Sequence, residues 1–310
     1  MTGPHRSGPR PAVLALALAL GAIFGVAVVR IVVSIGDEPE PQPMASTQPH
    51  VSVTVTTTVS AVRTSFVPTV TTTTTVVSTT VPPIASNATN PLTQPVSMDR
   101  NGCPLPPWTK TDEGMAVLLT AETKCLDDSW RLVFDQLKLP FTAPKLVLTD
   151  KVTAEDCGRP PEQNSFYCEG TIYLVPSSYL TTNAGSAAVP AAAVSLLAHE
   201  YGHHLQQLSG TLQVVTAQIR DAGVGTPAAL ELSRRTELQA QCLSGMFVGT
   251  HFDGPSTAAA RTDNYTRGDA PGALPDHGTP KNFGDWFTVG AQRNSLQDCN
   301  TWSAPPDAVQ

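Results

Sequence analysis

One stretch of this chain holds the residues whose types and spacing could do chemistry. Ser195 to Ser209 reads Ser-Leu-Leu-Ala-His-Glu-Tyr-Gly-His-His-Leu-Gln-Gln-Leu-Ser and contains His199-Glu200-x-x-His203. On a helix His199 and His203 lie one turn apart, so both imidazoles leave the same face. Two neutral imidazoles on one side of a tetrahedron suit zinc, and Glu200 is placed to take a proton from a water polarised by the metal. The chemistry expected is metal-assisted hydrolysis. A catalytic zinc takes three protein ligands and keeps one position open. The candidate for the third ligand is Glu237, in Arg235-Thr-Glu-Leu-Gln-Ala-Gln241-Cys242. Gln241 lies four residues on, on the same helix face, and suits the acceptor for the second N–H of a ligating histidine. The competing reading of Glu237 is a solvated helix charge paired with Arg234 or Arg235. His204 points off the metal face and reads as a polar or packing residue, and His251 as a loop histidine.

The elements that must position these residues are legible in part. Leu196, Leu197, Tyr201, Leu205 and Leu208 recur at near-helical spacing, Pro190 suits a first turn, and Ser209-Gly210 offers a left-handed stop. Thr226-Pro227 reads as the cap and first position of a second helix, to about Val248, that carries Glu237. Upstream, Thr111 to Lys124 reads as one helix. A separate one is expected from a cap at Ser129, carrying Trp130, Val133, Phe134 and Leu137 and stopped by Pro140. Lys145–Thr149 and Thr171–Val175 are strand candidates, the latter a possible edge for an extended peptide. After Gly249 the chain is Gly-, Pro- and Asp-rich until a short helical or turn segment from Asn282, where Trp286 and Phe287 read as core.

Composition sets the frame. The chain has 310 residues, a net charge of −7 and no basic stripe, which argues against nucleic acid as a partner. Charged residues are only 15%, and the deficit lies in the first hundred residues. Residues 1–11 are short and basic. Residues 12–35 form a nearly unbroken apolar run, longer than the about 20 residues that span a bilayer. Arginines before the run and acids after it predict a cytoplasmic N-terminus and a retained single-pass anchor, in preference to a cleaved signal peptide. Residues 36–98 are Thr-, Val- and Pro-rich with few aromatics or charges, so they are expected to be a disordered stalk, spanning roughly 40–45 Å. Residues 99–302 are expected to fold as one domain, with 303–310 a C-terminal tail. All six cysteines fall within that domain, which predicts three disulfides in an oxidising compartment. The pairs expected are Cys103–Cys125, Cys157–Cys168 and Cys242–Cys299.

HEYGHHLQ, then ELQAQC, then DHGTPKNFGDWFTVG, with NSFYCEGTIYL upstream, together resemble the putative neutral zinc metallopeptidase family of bacteria. The resemblance covers about residues 100–302 in the same order. It implies an α+β, zincin-like domain, mostly helical with a small sheet. It also implies His199, His203 and Glu237 on Zn2+, with Glu200 as general base. Gln241 stands where the family pattern has Asp, and Val175 where an acidic residue is usual. His277, in Asp-His-Gly-Thr, is the preferred catalytic residue for steadying the oxyanion, with Tyr201 and Tyr173 as alternatives. The expected protein is therefore a bacterial, membrane-anchored, extracytoplasmic zinc metallopeptidase acting on a peptide or protein of the cell envelope. Its rival is a peptidase-like domain used as an envelope-binding module.

Overall fold

The structure, a computed structural model, describes residues 86–100, 102–149, 165–176 and 190–310. The expected anchor at 12–35 and the stalk as far as residue 85 lie outside the described residues, as does Cys157. Among the described residues no helix is long and apolar enough to cross a membrane.

Thr111 opens the first helix, α1 (Asp112–Leu137), its hydroxyl accepting the Gly114 N–H at 3.0 Å. Asp112 and Glu113 sit in the positive first turn. The break expected before Ser129 does not occur. Lys124 pairs with Asp128 at 2.6 Å, Asp127 accepts the Tyr201 hydroxyl at 2.7 Å, and Ser129 Oγ bonds His251 Nε2 at 2.9 Å. The would-be capping side chains thus bond other groups, while Leu126, Trp130 and Phe134 continue one buried stripe. Lys138, at φ 57°, ends the helix.

Glu122 on the same helix is fully buried, and neither carboxyl oxygen has a hydrogen-bond partner among the described residues. Burial pushes its pKa well above the usual carboxyl range. A carboxyl that holds its proton more tightly when folded contributes stability below the ordinary carboxyl pKa and loses it as pH rises. Glu122→Met is therefore expected to raise stability by about 1–3 kcal/mol near neutrality by removing the unsatisfied group. Thermal unfolding at pH 5 and pH 8 should show the gain larger at pH 8.

Three short strands follow: β1 (Lys145–Leu148), β2 (Phe166–Cys168) and β3 (Thr171–Leu174). They form one sheet in the order β1-β3-β2, with β1 parallel and β2 antiparallel to β3. The strand expected as an edge is thus the central one, because the tight turn at Glu169-Gly170 folds β2 back onto it. β2 lies at the edge of this sheet.

The remaining helices are α2 (Ala191–Leu208), α3 (Thr211–Ala222), α4 (Pro227–His251), α5 (Gly254–Asn264) and α6 (Pro280–Arg293). α2 stops at Ser209, with Gly210 left-handed at φ 83°. Thr226 caps α4 as expected, but the helix continues through Gly249 to His251. The reason is packing: a Cβ at Gly249 would lie 2.5 Å from Ala291 Cα, so the glycine admits α6 against α4. The Gly/Pro-rich stretch expected to be irregular contains α5. Asp253 caps it by accepting the Ser256 N–H at 2.8 Å, and a proline in the first turn suits helix initiation.

Leu119, Trp130, Leu197, Leu205, Phe247 and Phe287 belong to one core shared by α1, α2, α4 and α6, and Ile172 and Leu174 join it from the sheet. Two segments expected to lie outside the domain, one in the stalk and one in the C-terminal tail, also bury side chains. Leu92 and Met98 are buried in that core, and Asn294 brackets Met98 by bonding its N–H and its carbonyl at 3.1 and 2.8 Å. Residues 86–98, expected to belong to the stalk, therefore carry side chains that pack into the head. At the other end Val309 is buried, with Arg234 Nε donating to its carbonyl at 2.7 Å and Trp286 Nε1 donating to Ala308 O at 2.8 Å. Cys103–Cys125 and Cys242–Cys299 form as expected. The architecture is mostly helical with a small sheet, an α+β fold.

Candidate active site

Gly202, inside the motif, lets α2 approach α4: a Cβ there would lie 3.0 Å from both Cα and O of Ala240. That contact brings Glu237 to the imidazole pair. Glu237 Oε2 lies 3.2 Å from His199 Nε2 and 3.2 Å from His203 Nε2, and the two nitrogens are 3.2 Å apart. Three donor atoms at one corner-to-corner spacing outline a face of a tetrahedron. Zinc bonds of about 2.0–2.1 Å put tetrahedral ligand atoms about 3.3–3.4 Å apart, so the triangle fits a zinc ion. All three side chains are buried. Among the described residues they form one of two acidic or imidazole clusters able to hold a metal ion. The pairing of Glu237 with Arg234 or Arg235 is not found. Arg235 bonds Glu231 at 2.8 Å, and Arg234 donates to the Val309 and Pro275 carbonyls at 2.7 Å each.

Behind the triangle, His199 Nδ1 meets Gln241 Oε1 at 3.0 Å, and His203 Nδ1 meets Gln206 Oε1 at 3.0 Å. Electrostatics reflect the crowding. Burial lowers the His199 pKa against the opposing pull of Glu237. Burial acts the same way on His203, but the Glu237 and Glu200 carboxylates overcome it and raise the pKa. Glu237 is likewise penalised by burial, yet His203 and His277 hold it well below the ordinary carboxyl range.

Glu200 is fully buried, and neither oxygen has a partner of good hydrogen-bond geometry among the described residues. Burial pushes its pKa up to about 7, with the Glu237 carboxylate adding to the rise and the imidazoles of His203 and His277 and the Tyr167 backbone N–H opposing it. A partnerless buried carboxyl beside a metal-sized triangle is suited to exchange protons with a small molecule in that space.

His277 reaches the same place from a loop. Its Nε2 lies 3.9 Å from Glu237 Oε2, and its Nδ1 lies 2.6 Å from Asp276 Oδ1. Asp269 shapes the loop by accepting the N–H groups of Asp276, His277 and Gly278 at 3.1, 2.9 and 2.8 Å. Asp269, Asp276 and His277 form the second cluster.

The residues His199, Glu200, His203, Glu237, Gln241 and His277 all converge. Tyr201 does not: it is buried, and its hydroxyl is bonded to Asp127 on α1. Tyr173 stacks on Phe166 at 4.9 Å. His204 is buried as a packing residue, with Nε2 2.7 Å from Thr142 O and Nδ1 3.1 Å from the Tyr167 hydroxyl. His251 is no loop residue; it ends α4 against Ser129. Sequence reading missed Gln206, Asn264, Asp269 and Asp276. Gln206 had a signal, since it lies one turn beyond His203. Asn264 and Asp269 had none, because only the fold brings them here.

Comparison with known proteins agrees with this geometry. The uncharacterized protein YpfJ of Escherichia coli strain K12 is 28% identical over 230 residues, covering 67% of this chain and 78% of that protein. The uncharacterized proteins Rv2575 of Mycobacterium tuberculosis strain H37Rv and Mb2605 of Mycobacterium bovis are each 30% identical over 194 residues, covering 53% of this chain and 64% of those proteins. No solved structure matches the chain at a comparable level. Residues 108–302, which hold every converging side chain, match the profile of one family. The chain therefore belongs to the family described as putative neutral zinc metallopeptidase.

Proposed function

We propose that the head hydrolyses peptide bonds as a zinc metallopeptidase, with His199, His203 and Glu237 holding Zn2+ and Glu200 acting as general base. The observation that carries this reading is the 3.2 Å triangle of His199 Nε2, His203 Nε2 and Glu237 Oε2 beside the partnerless Glu200 carboxyl. Zinc bound there would polarise the scissile carbonyl and acidify the attacking water. Glu200 takes that water's proton and delivers it to the leaving amine. His277, with Nδ1 held by Asp276, presents Nε2 to the oxyanion as charge develops.

His277→Ala is accordingly expected to lower kcat by about 100-fold, as loss of one oxyanion donor does, with metal content unchanged. Steady-state kinetics with metal analysis checks this.

We further propose that the head works outside the cytoplasm on a single-pass anchor, as part of a bacterial cell membrane, on peptides or proteins of the envelope. The apolar run at 12–35 and the two disulfides support that placement. One observation favours a second reading, an envelope-binding domain with little activity: His199 is backed by the neutral Gln241 rather than a carboxylate.

The deciding experiment takes the full chain, measures zinc per protein, and screens cleavage of a diverse peptide library with and without a chelator. One zinc per chain with chelator-sensitive cleavage supports the peptidase. Zinc without cleavage favours the binding domain, and absence of zinc overturns both metal readings.

A further inference from the structure

We propose that Gln206 and Gln241 are a pair of neutral clamps on the metal centre. They fix which nitrogen of each imidazole faces the metal, lock α2 to its neighbours at the level of the ligands, and set the zinc affinity below what a carboxylate in the same place gives. The proposal rests on the zinc reading above and concerns two residues that touch the ligands rather than the metal.

Both clamps have a direction, and it follows without sight of a hydrogen atom. Gln206 Nε2 lies 2.9 Å from the backbone carbonyl of Thr236. A carbonyl only accepts, so the nitrogen of this amide must lie there and its oxygen must face His203 Nδ1 at 3.0 Å. His203 then carries its proton on Nδ1 and presents the Nε2 lone pair to the triangle. The second clamp has one more link. Asn264 Nδ2 lies 2.8 Å from Ala260 O, so Asn264 turns its oxygen to Gln241 Nε2 at 2.6 Å, and Gln241 turns its own oxygen to His199 Nδ1 at 3.0 Å. Each chain begins at a main-chain acceptor that cannot flip, and each ends by making an imidazole a ligand through Nε2.

The anchors also tie the elements together. Thr236 precedes Glu237, so the Gln206 bond joins the helix bearing both histidines to the backbone beside the third ligand. Gln241 does the same between α4 and α5. Both glutamines are buried, so no solvent screens their contacts. An amide accepts the imidazole N–H as a carboxylate would, but it adds no negative charge and raises ligand basicity less. The histidines are therefore well oriented yet weakly backed, which favours a zinc ion that can be exchanged.

The test measures the zinc dissociation constant of the full chain by chelator competition, without substrate, beside the unfolding temperature of the metal-free protein. Gln206→Met strips the acceptor from His203 and is expected to weaken zinc binding by about 10–100-fold. Gln241→Glu keeps the length and adds a charge behind His199; made together with Asn264→Ala, which removes the oxygen that the new carboxylate would otherwise meet at 2.6 Å, it is expected to tighten binding by about 10-fold or more. Opposite directions at the two positions are what a merely loosened fold would not produce. Should Gln206→Met fail to fold, Gln241→Met carries the same expectation of weaker binding. Variants that bind zinc as the wild type does, or the Gln241→Glu, Asn264→Ala protein binding more weakly with its unfolding temperature preserved, overturn the clamp and leave the zinc reading standing. A wild type that takes up no zinc overturns both.

Discussion

Glu200→Gln is expected to lower peptide cleavage by about 10²–10⁴-fold, the contribution typical of a positioned general base, while the bound zinc is retained. The substitution keeps the shape of a side chain that touches no ligand through a hydrogen bond, so the triangle stands, and only proton transfer is lost. The pH profile carries the same signature. Catalysis needs the carboxylate, and burial holds the Glu200 pKa up to about 7 before any cation is added. A dication in the triangle pulls that value down, so the acid limb of kcat/KM should lie at or below about pH 7 and vanish with the variant's residual activity. The metal-free protein should show the opposite sense in stability. Its Glu200 carboxyl holds a proton more tightly folded than unfolded, so its stabilising contribution is present below pH 4.5 and is lost as pH rises toward 7. On the order of 3 kcal/mol is at stake between pH 4.5 and about 7. Unfolding temperatures of metal-free wild type and Glu200→Gln across that range measure it.

Glu237→Ala is expected to weaken zinc binding on the order of 10³-fold, and activity at limiting metal should fall with it. Zinc sites with a full ligand set bind with about 10–16 kcal/mol, so one ligand of four carries roughly a quarter of that. The loss is deepened by what Glu237 does without metal. Its oxygen sits 3.2 Å from both ligating nitrogens and is the carboxylate that brings them together. Burial raises the Glu237 pKa and the His203 and His277 imidazoles more than reverse that, so the ionised form is the one the fold selects. Removing it leaves the buried His203 imidazole with no carboxylate partner except Glu200 and takes away the group that both imidazoles meet, so the triangle loses what holds its corners together. Competition with a chelator reads the affinity, and excess zinc should not restore full activity. Zinc bound at wild-type affinity would show that the third ligand lies elsewhere.

Much of this site was legible from residues alone because α-helical spacing is a local rule. His199 and His203 share a face whatever surrounds them, and Glu237 and Gln241 repeat the same interval on the next long helix. Thr226 and Gly210 act within one turn of themselves, and the structure uses each at the position expected. Other expectations went astray because a partner from elsewhere in the chain outweighed a local preference. Ser129 has the chemistry of a cap, but His251 takes its hydroxyl and the helix runs on. Thr171–Leu174 alternates like an edge strand, yet the turn at Gly170 lays β2 on one side of it and β1 pairs in parallel on the other.

The helix bearing His199, Glu200 and His203 was determined by sequence: its period, its two imidazoles, and the carboxyl between them. Tertiary structure decided the rest. It set Glu237 3.2 Å from each imidazole, brought His277 to the same point on a loop tied down by Asp269, and selected Gln206 and Gln241 as the acceptors behind them. Local spacing determines what one helix can present, whereas a metal-sized triangle depends on how closely two helices approach. Here that approach is set by a missing side chain, the hydrogen of Gly202 against the backbone of Ala240.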